Sequence, residues 1–136
     1  MFFKKSTFNR KCFFYICYMI NLNITNETSR LRSVVIGIAD SNGAIPKLED
    51  TYDPKSAEHI KSGTYPKETD MVKEIESLYQ VFKKYDVKVY RPDKIIDYNQ
   101  IFSRDIAFVI DDKMIISNIL PNRDKEIEAI QYLCSQ

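Results

Sequence analysis

Pro66-Lys-Glu-Thr-Asp-Met-Val-Lys-Glu-Ile-Glu-Ser-Leu-Tyr-Gln-Val-Phe-Lys-Lys-Tyr-Asp-Val-Lys-Val-Tyr-Arg-Pro92 is the stretch that decides the fold class. Apolar side chains recur at Met71, Ile75, Leu78, Phe82 and Tyr85, with spacings of 4, 3, 4 and 3, the single stripe of an amphipathic helix. Pro66 suits a helix start, where its missing N–H would have no partner. Asp86 ends the helix, Val87 to Arg91 follows as a strand, and Pro92 closes off further ladder bonding. Upstream, Arg32-Ser-Val-Val-Ile-Gly-Ile38 is a β-branched run suited to a buried strand. Between them, 39–65 is rich in Asp, Ser, Asn, Gly, Pro and Lys without apolar period, and reads as a long loop of the functional kind. Downstream, 105–110 and 114–118 flank the turn Asp111-Asp112-Lys113 as a hairpin. Pro121 opens a last helix, with Ile127, Ile130 and Cys134 at helical spacing and Tyr132 and Leu133 joining its apolar face. The class is α/β, with the long helix packed on strands 32–38, 87–91 and 105–118.

The 136 residues hold 20 Lys+Arg against 19 Asp+Glu, a net charge of +1, which excludes a strongly charged nucleic-acid binder. With 44% hydrophobic and 12% aromatic residues the chain can bury a core. Cys12, Cys17 and Cys134 form no disulfide framework, and no nearby His pair completes a zinc site. A reducing, cytoplasmic home without a metal is therefore expected. No apolar run reaches the ~20 residues of a membrane span, so no membrane partner is expected. Residues 1–22 carry Lys4, Lys5, Arg10 and Lys11 and no acid, followed by the apolar run 12–20. They read as an extension outside the fold, upstream of a start at Met19, as a signal or membrane-surface segment, or as a folded element.

Four stretches in order carry a resemblance: Leu31-Arg-Ser-Val-Val-Ile-Gly-Ile-Ala-Asp40, Thr64-Tyr-Pro-Lys-Glu68, Asp86-Val-Lys-Val-Tyr-Arg-Pro-Asp93 and Phe102-Ser-Arg-Asp-Ile-Ala-Phe-Val-Ile-Asp111. Together they resemble the N-terminal part of the amidinotransferase and arginine deiminase superfamily, which includes the dimethylarginine dimethylaminohydrolases. These are guanidino-modifying enzymes built as an α/β propeller, the pentein fold, of strand-strand-helix-strand modules. The resemblance covers 23–136 and implies a partial pentein: a first module and most of a second. Phe-Ser-Arg-Asp is its most specific piece.

The chemistry accounts for the residue types. A guanidinium is planar and cationic, so a carboxylate in its plane accepts two parallel N–H bonds and holds the central carbon for attack. Asp105 resembles that ligand. Arg104 beside it is read as orienting the carboxylate or as a structural ion pair. Arg123, in Pro121-Asn-Arg-Asp-Lys-Glu126, resembles an Arg-x-x-Glu region near the carboxylate end of the substrate. Asn42, in the turn Asp40-Ser-Asn-Gly43, sits where the family brings loop residues to the substrate. Attack needs a thiolate, giving a covalent intermediate, and a His to move protons, without any cofactor. In the family these come from later modules. His59 has no acid two residues on and reads as a solvent-facing loop residue, and Cys134 as a buried inert thiol.

No complete catalytic set is thus expected in this chain. Its expected small-molecule partner is an arginine-like guanidine. Three readings stand: the truncated front of a guanidino-modifying enzyme, inactive alone; one half of a split enzyme; or a non-catalytic guanidinium-binding or interaction protein. An incomplete circle of modules also predicts self-association through exposed strand edges.

Overall fold

The computed structural model describes residues 13–15, 20–51 and 53–133. Its elements are strands β1 (Phe13–Tyr15), β2 (Ser33–Val35), β3 (Lys88–Tyr90), β4 (Ala107–Ile110) and β5 (Lys113–Ile116), and helices α1 (Pro54–Ser62), α2 (Glu68–Lys84) and α3 (Lys125–Glu128). Short 3-10 turns lie at Leu48–Asp50, Ser103–Asp105, Pro121–Arg123 and Gln131–Leu133. This is an α/β chain.

The strands form two sheets, where the sequence reading has one helix covering a single set of strands. β2 and β3 pair in parallel, Val34 opposite Val89, and α2 is the crossover that parallel pairing requires. Beyond the paired residues the ladder continues through the N–H of Ile36, which donates to Tyr90 O at 3.1 Å. The second sheet is antiparallel, in the order β1-β5-β4. Its β4–β5 hairpin stands where the sequence reading has one, with tighter bounds: Lys113 pairs with Ile110, so only Asp111 and Asp112 turn, with Asp111 at φ 53°, and the first strand begins at Ala107, Asp105 lying in a 3-10 turn ahead of it. The core lies between this hairpin and the C-terminal turns: Ile106, Met114, Ile116, Ile130 and Leu133 are buried together. Val35 and Tyr90 reach the same cluster, which joins the two sheets.

The expected α2 is present and sharply ended. Asp86 takes the left-handed conformation at φ 57°, its N–H donates to Lys83 O, and the N–H of Val87 donates to Phe82 O. That pair of bonds caps the last carbonyls in the Schellman pattern. Its apolar stripe packs against β3 but is only half covered: no α2 residue is fully buried, and Leu78 and Tyr85 stay 42% and 63% exposed.

Three sequence expectations change. The stretch 39–65 is no uniform loop but holds the turn Leu48–Asp50 and the two-turn helix α1. α1 has only Ala57 and Ile60 as apolar side chains, too few to display an apolar period. Its signals are local instead: Asp53 accepts the N–H of Ser56 at 2.7 Å, Pro54 stands in the first turn, and Gly63 ends it at φ 67°. His59 therefore lies in the last turn of α1, its Nδ1 2.9 Å from Thr64 Oγ1, and not in a loop. The last helix is broken into the 3-10 turn at Pro121, the four residues of α3 and the turn at Gln131. Part of the segment expected outside the fold lies on it: β1 pairs with β5, and Ile20 and Leu22 pack on the core. Cys12, Cys17, Met19 and Cys134 lie outside the described residues. Among the described residues no helix is long and apolar enough to cross a membrane.

The α1 cap yields an acid-sensitivity prediction. The backbone N–H of Ser56 stabilises the Asp53 carboxylate and holds its pKa below the usual aspartate range. The stabilisation is therefore present above that range and lost as pH falls through the lowered value. Amide exchange across Ser56–Ile60 should accelerate below that value ahead of the core amides of β5, and Asp53→Ala should produce the same pattern at neutral pH.

Candidate functional site

A cleft of about 520 Å³ opens where the turn after β2, the 48–56 segment, the 97–105 segment and the C-terminal turns converge. Asn42, Asp105 and Arg123, three of the residues singled out from sequence, all line it. Asp105 closes the turn Ser103–Asp105 immediately ahead of fully buried Ile106, so the motif is anchored by one residue and presents the next. Ser103 ties the same turn to β2, its hydroxyl donating to Val35 O at 3.1 Å. Asn42 comes from the other side. Its N–H donates to Glu68 Oε2 at 3.0 Å at the start of α2, and its turn docks on the 97–98 segment, where the N–H of Tyr98 donates to Ser41 O at 2.9 Å.

Arg123 is the centre of the charge network. Its Nε and Nη2 donate to the two oxygens of Glu126 at 2.6 and 3.0 Å, and Nη1 donates to Asp105 Oδ2 at 3.0 Å. A fourth contact runs from Nη2 to Phe102 O at 3.5 Å. Glu126 is 1% exposed, so this fork is a partly buried bidentate pair. Its carboxylate, then that of Asp105, hold the guanidinium charged against the opposing effect of burial. The expected first-turn position of Arg123 brings Glu126 onto the same side, three residues on.

Arg104 is placed differently. It is exposed, does not line the cleft, and the ion-pair partner of Asp105 is Arg123. The residue next in sequence faces away because the 3-10 turn separates consecutive side chains by about a third of a revolution.

Sequence reasoning passed over other lining residues: Asp50, Asp53, Tyr65, Asp97, Tyr98 and Glu126. Glu126 had a signal in the Arg-x-x-Glu spacing. Asp97 and Tyr98 had none, because the loop 92–101 is shaped from inside by Gln100. That side chain is 1% exposed, accepts the N–H of Ile95 at 2.7 Å and donates to Asp93 O at 2.8 Å. Tyr98 then reaches Asn122 O with its hydroxyl, and burial, followed by the charge of Glu126, pushes that phenol's pKa up.

Among the described residues the lining thus carries Asp50, Asp53, Asp97, Asp105 and Glu126 against one cation, Arg123. No family model matches the chain, and no curated protein matches it. The chemistry open to this site is therefore read from its own groups. An acidic concavity with tyrosines in its wall suits a cationic small molecule. Among the described residues, no group of three or more His, Cys, Asp or Glu is placed to hold a metal ion. His59 does not line the cleft.

Proposed function

We propose that the cleft binds a guanidinium-bearing small molecule, and that the chain is the substrate-binding front of a cytoplasmic guanidino-group modifying enzyme of the amidinotransferase and arginine deiminase kind, in a partial pentein arrangement. One observation carries this reading: Asn42, Asp105 and Arg123, nominated from separate stretches of the chain, line the same acidic cleft.

Each residue then has a physical task. Asp105 receives the ligand's N–H groups on Oδ1 and on the second lone pair of Oδ2, since Arg123 occupies one site only. Arg123 is a positioning residue that holds that carboxylate in place. Glu126 neutralises Arg123, so that the ligand's positive charge meets a site of net negative charge. Covalent attack on the guanidinium carbon calls for a thiolate and a proton-shuttling His, which this reading assigns to later modules and not to His59. The chain alone is then expected to bind without turnover.

Methylguanidinium and its neutral analogue methylurea test the reading on the full chain by NMR titration. Methylguanidinium should shift the amides of Asp105 and Asn42, and methylurea should not. Asp105→Asn should weaken methylguanidinium by about tenfold, the worth of one charge-assisted hydrogen bond. Equal binding of the two compounds, or an unchanged affinity in Asp105→Asn, overturns it.

A further inference from the structure

The antiparallel sheet runs in the order β1-β5-β4, so β5 is paired on both sides and β4 is an edge. In an antiparallel ladder, successive residues send their N–H and C=O groups alternately to the two sides. Ile106 O accepts the N–H of Ser117, so 106, 108 and 110 face β5, and Ala107, Val109 and Asp111 face away from it. Asp111 bears this out, its N–H and C=O bonding to Ile24 at 2.8 and 2.9 Å. Ala107 and Val109 have no such partner among the described residues, so each leaves a backbone donor and acceptor on the open edge.

The outward face of this edge is apolar: Phe108 and Ile110 are 49% and 51% exposed, with half-buried Ile115 opposite Phe108 on β5. An unprotected edge of this kind is a template for another strand. The strand that fits must be short, because Ile106 already has a helical backbone and Asp111 a left-handed one. A second β4 meets that condition, and one antiparallel register satisfies both edge residues of both copies: Ala107 of one opposite Val109 of the other. Centring the pair on Ala107 would need Asp105, which lies in the 3-10 turn, and centring it on Val109 would need Asp111, which Ile24 already holds.

Charge selects the same direction. Arg104, exposed and without an ion-pair partner among the described residues, stands ahead of β4, and Asp111 stands after it. Their neighbours are engaged, Asp105 by Arg123 and Asp112 by Lys113. Antiparallel pairing brings Arg104 of each copy toward Asp111 of the other, whereas parallel pairing sets like charges together.

We propose that β4 is the seam of a two-fold homodimer, its edge pairing antiparallel with β4 of a second copy so that one sheet runs through both. The axis passes between the two Phe108 side chains, which face each other on the apolar side as a non-hydrogen-bonded pair with Cα atoms about 4.5 Å apart. The contact is isologous and closes at two copies.

Sedimentation equilibrium of the full chain over a concentration series should show monomer and dimer and nothing larger. Phe108→Lys sets two ammonium groups against each other at the axis and should raise the dissociation constant at least about tenfold. Val109→Pro removes an N–H that β5 does not use and should weaken the dimer likewise. Phe108→Cys is the milder change that decides the matter if those variants fail to fold by circular dichroism. On oxidation it should form a disulfide between the two introduced thiols, since the facing Cα atoms lie within the span of that bond. Peptide mapping by mass spectrometry separates this bond from any through Cys12, Cys17 or Cys134. A chain that stays monomeric, an open series of larger assemblies, a dimer that folded Phe108→Lys and Val109→Pro leave intact, or an oxidised Phe108→Cys without that disulfide overturns the proposal.

Discussion

Gly37→Ala should be strongly destabilising. A Cβ built at this position falls 2.0 Å from Ile101 O, 2.4 Å from Gln100 O and 2.5 Å from Ile101 C. All three neighbours are backbone, so no side chain can swing aside. Relief requires the strand around Gly37 and the 100–101 segment to part, which breaks the bond from the N–H of Ile38 to Gln100 O at 3.1 Å. Gln100 loses its burial at the same time, and with it the bonds that shape the loop carrying Asp97 and Tyr98. A forced backbone overlap of this kind costs about 3 kcal/mol, the upper end for overpacking, out of roughly 5–15 kcal/mol for a small domain. Thermal unfolding followed by circular dichroism should show a Tm lower by about 10 °C or no transition at all.

Gly63→Ala is the control. Nothing lies within 4 Å of its Cβ, and only the φ of 67° opposes a side chain, so the cost is about 1 kcal/mol. Equal effects at the two positions would show that the close approach at Gly37 is not what matters.

Glu126→Leu is the second large effect, expected to cost about 3–5 kcal/mol because it leaves Arg123 partly buried beside a hydrophobic side chain. The Arg123 side chain is 20% exposed and that of Glu126 1%, so water cannot replace the lost partner cheaply. Asp105, with its side chain 46% exposed, keeps one bond to Arg123 and recovers only a fraction. The informative comparison is the double variant Glu126→Leu with Arg123→Met. Removing both charges should restore most of the stability lost by Glu126→Leu alone, since no unpaired charge is left. A double variant no more stable than Glu126→Leu in urea unfolding would assign the loss to packing instead.

The elements legible in the sequence were those whose signal is local. α2 announced itself because its stripe must face one side whatever it packs on, and the 111–113 turn because polar residues between two apolar runs mark a reversal, although Lys113 itself belongs to β5. α1 was illegible to periodicity, since its nine residues carry only Ala57 and Ile60 as apolar side chains, too few to show a repeat. Its Asp53, Pro54 and Gly63 were the readable marks. The division of the strands into a parallel pair and an antiparallel sheet could not be read from strand positions, because pairing depends on which edges meet and not on what each strand contains.

The same division runs through the site. The resemblance to a guanidino-modifying family, carried by four stretches in order, nominated Asp105, Arg123 and Asn42, where residue type alone reads each as an ordinary surface or turn residue. Tertiary structure decided that Arg123 and not Arg104 is the partner of Asp105, that Glu126 is sealed beneath them, and that Asp50 and Asp97 join the same wall. Sequence separation carries no information about such meetings. They follow from the buried contacts of Ile106, Gln100 and Gly37, which bring distant loops to one place and leave their charges facing a common cleft.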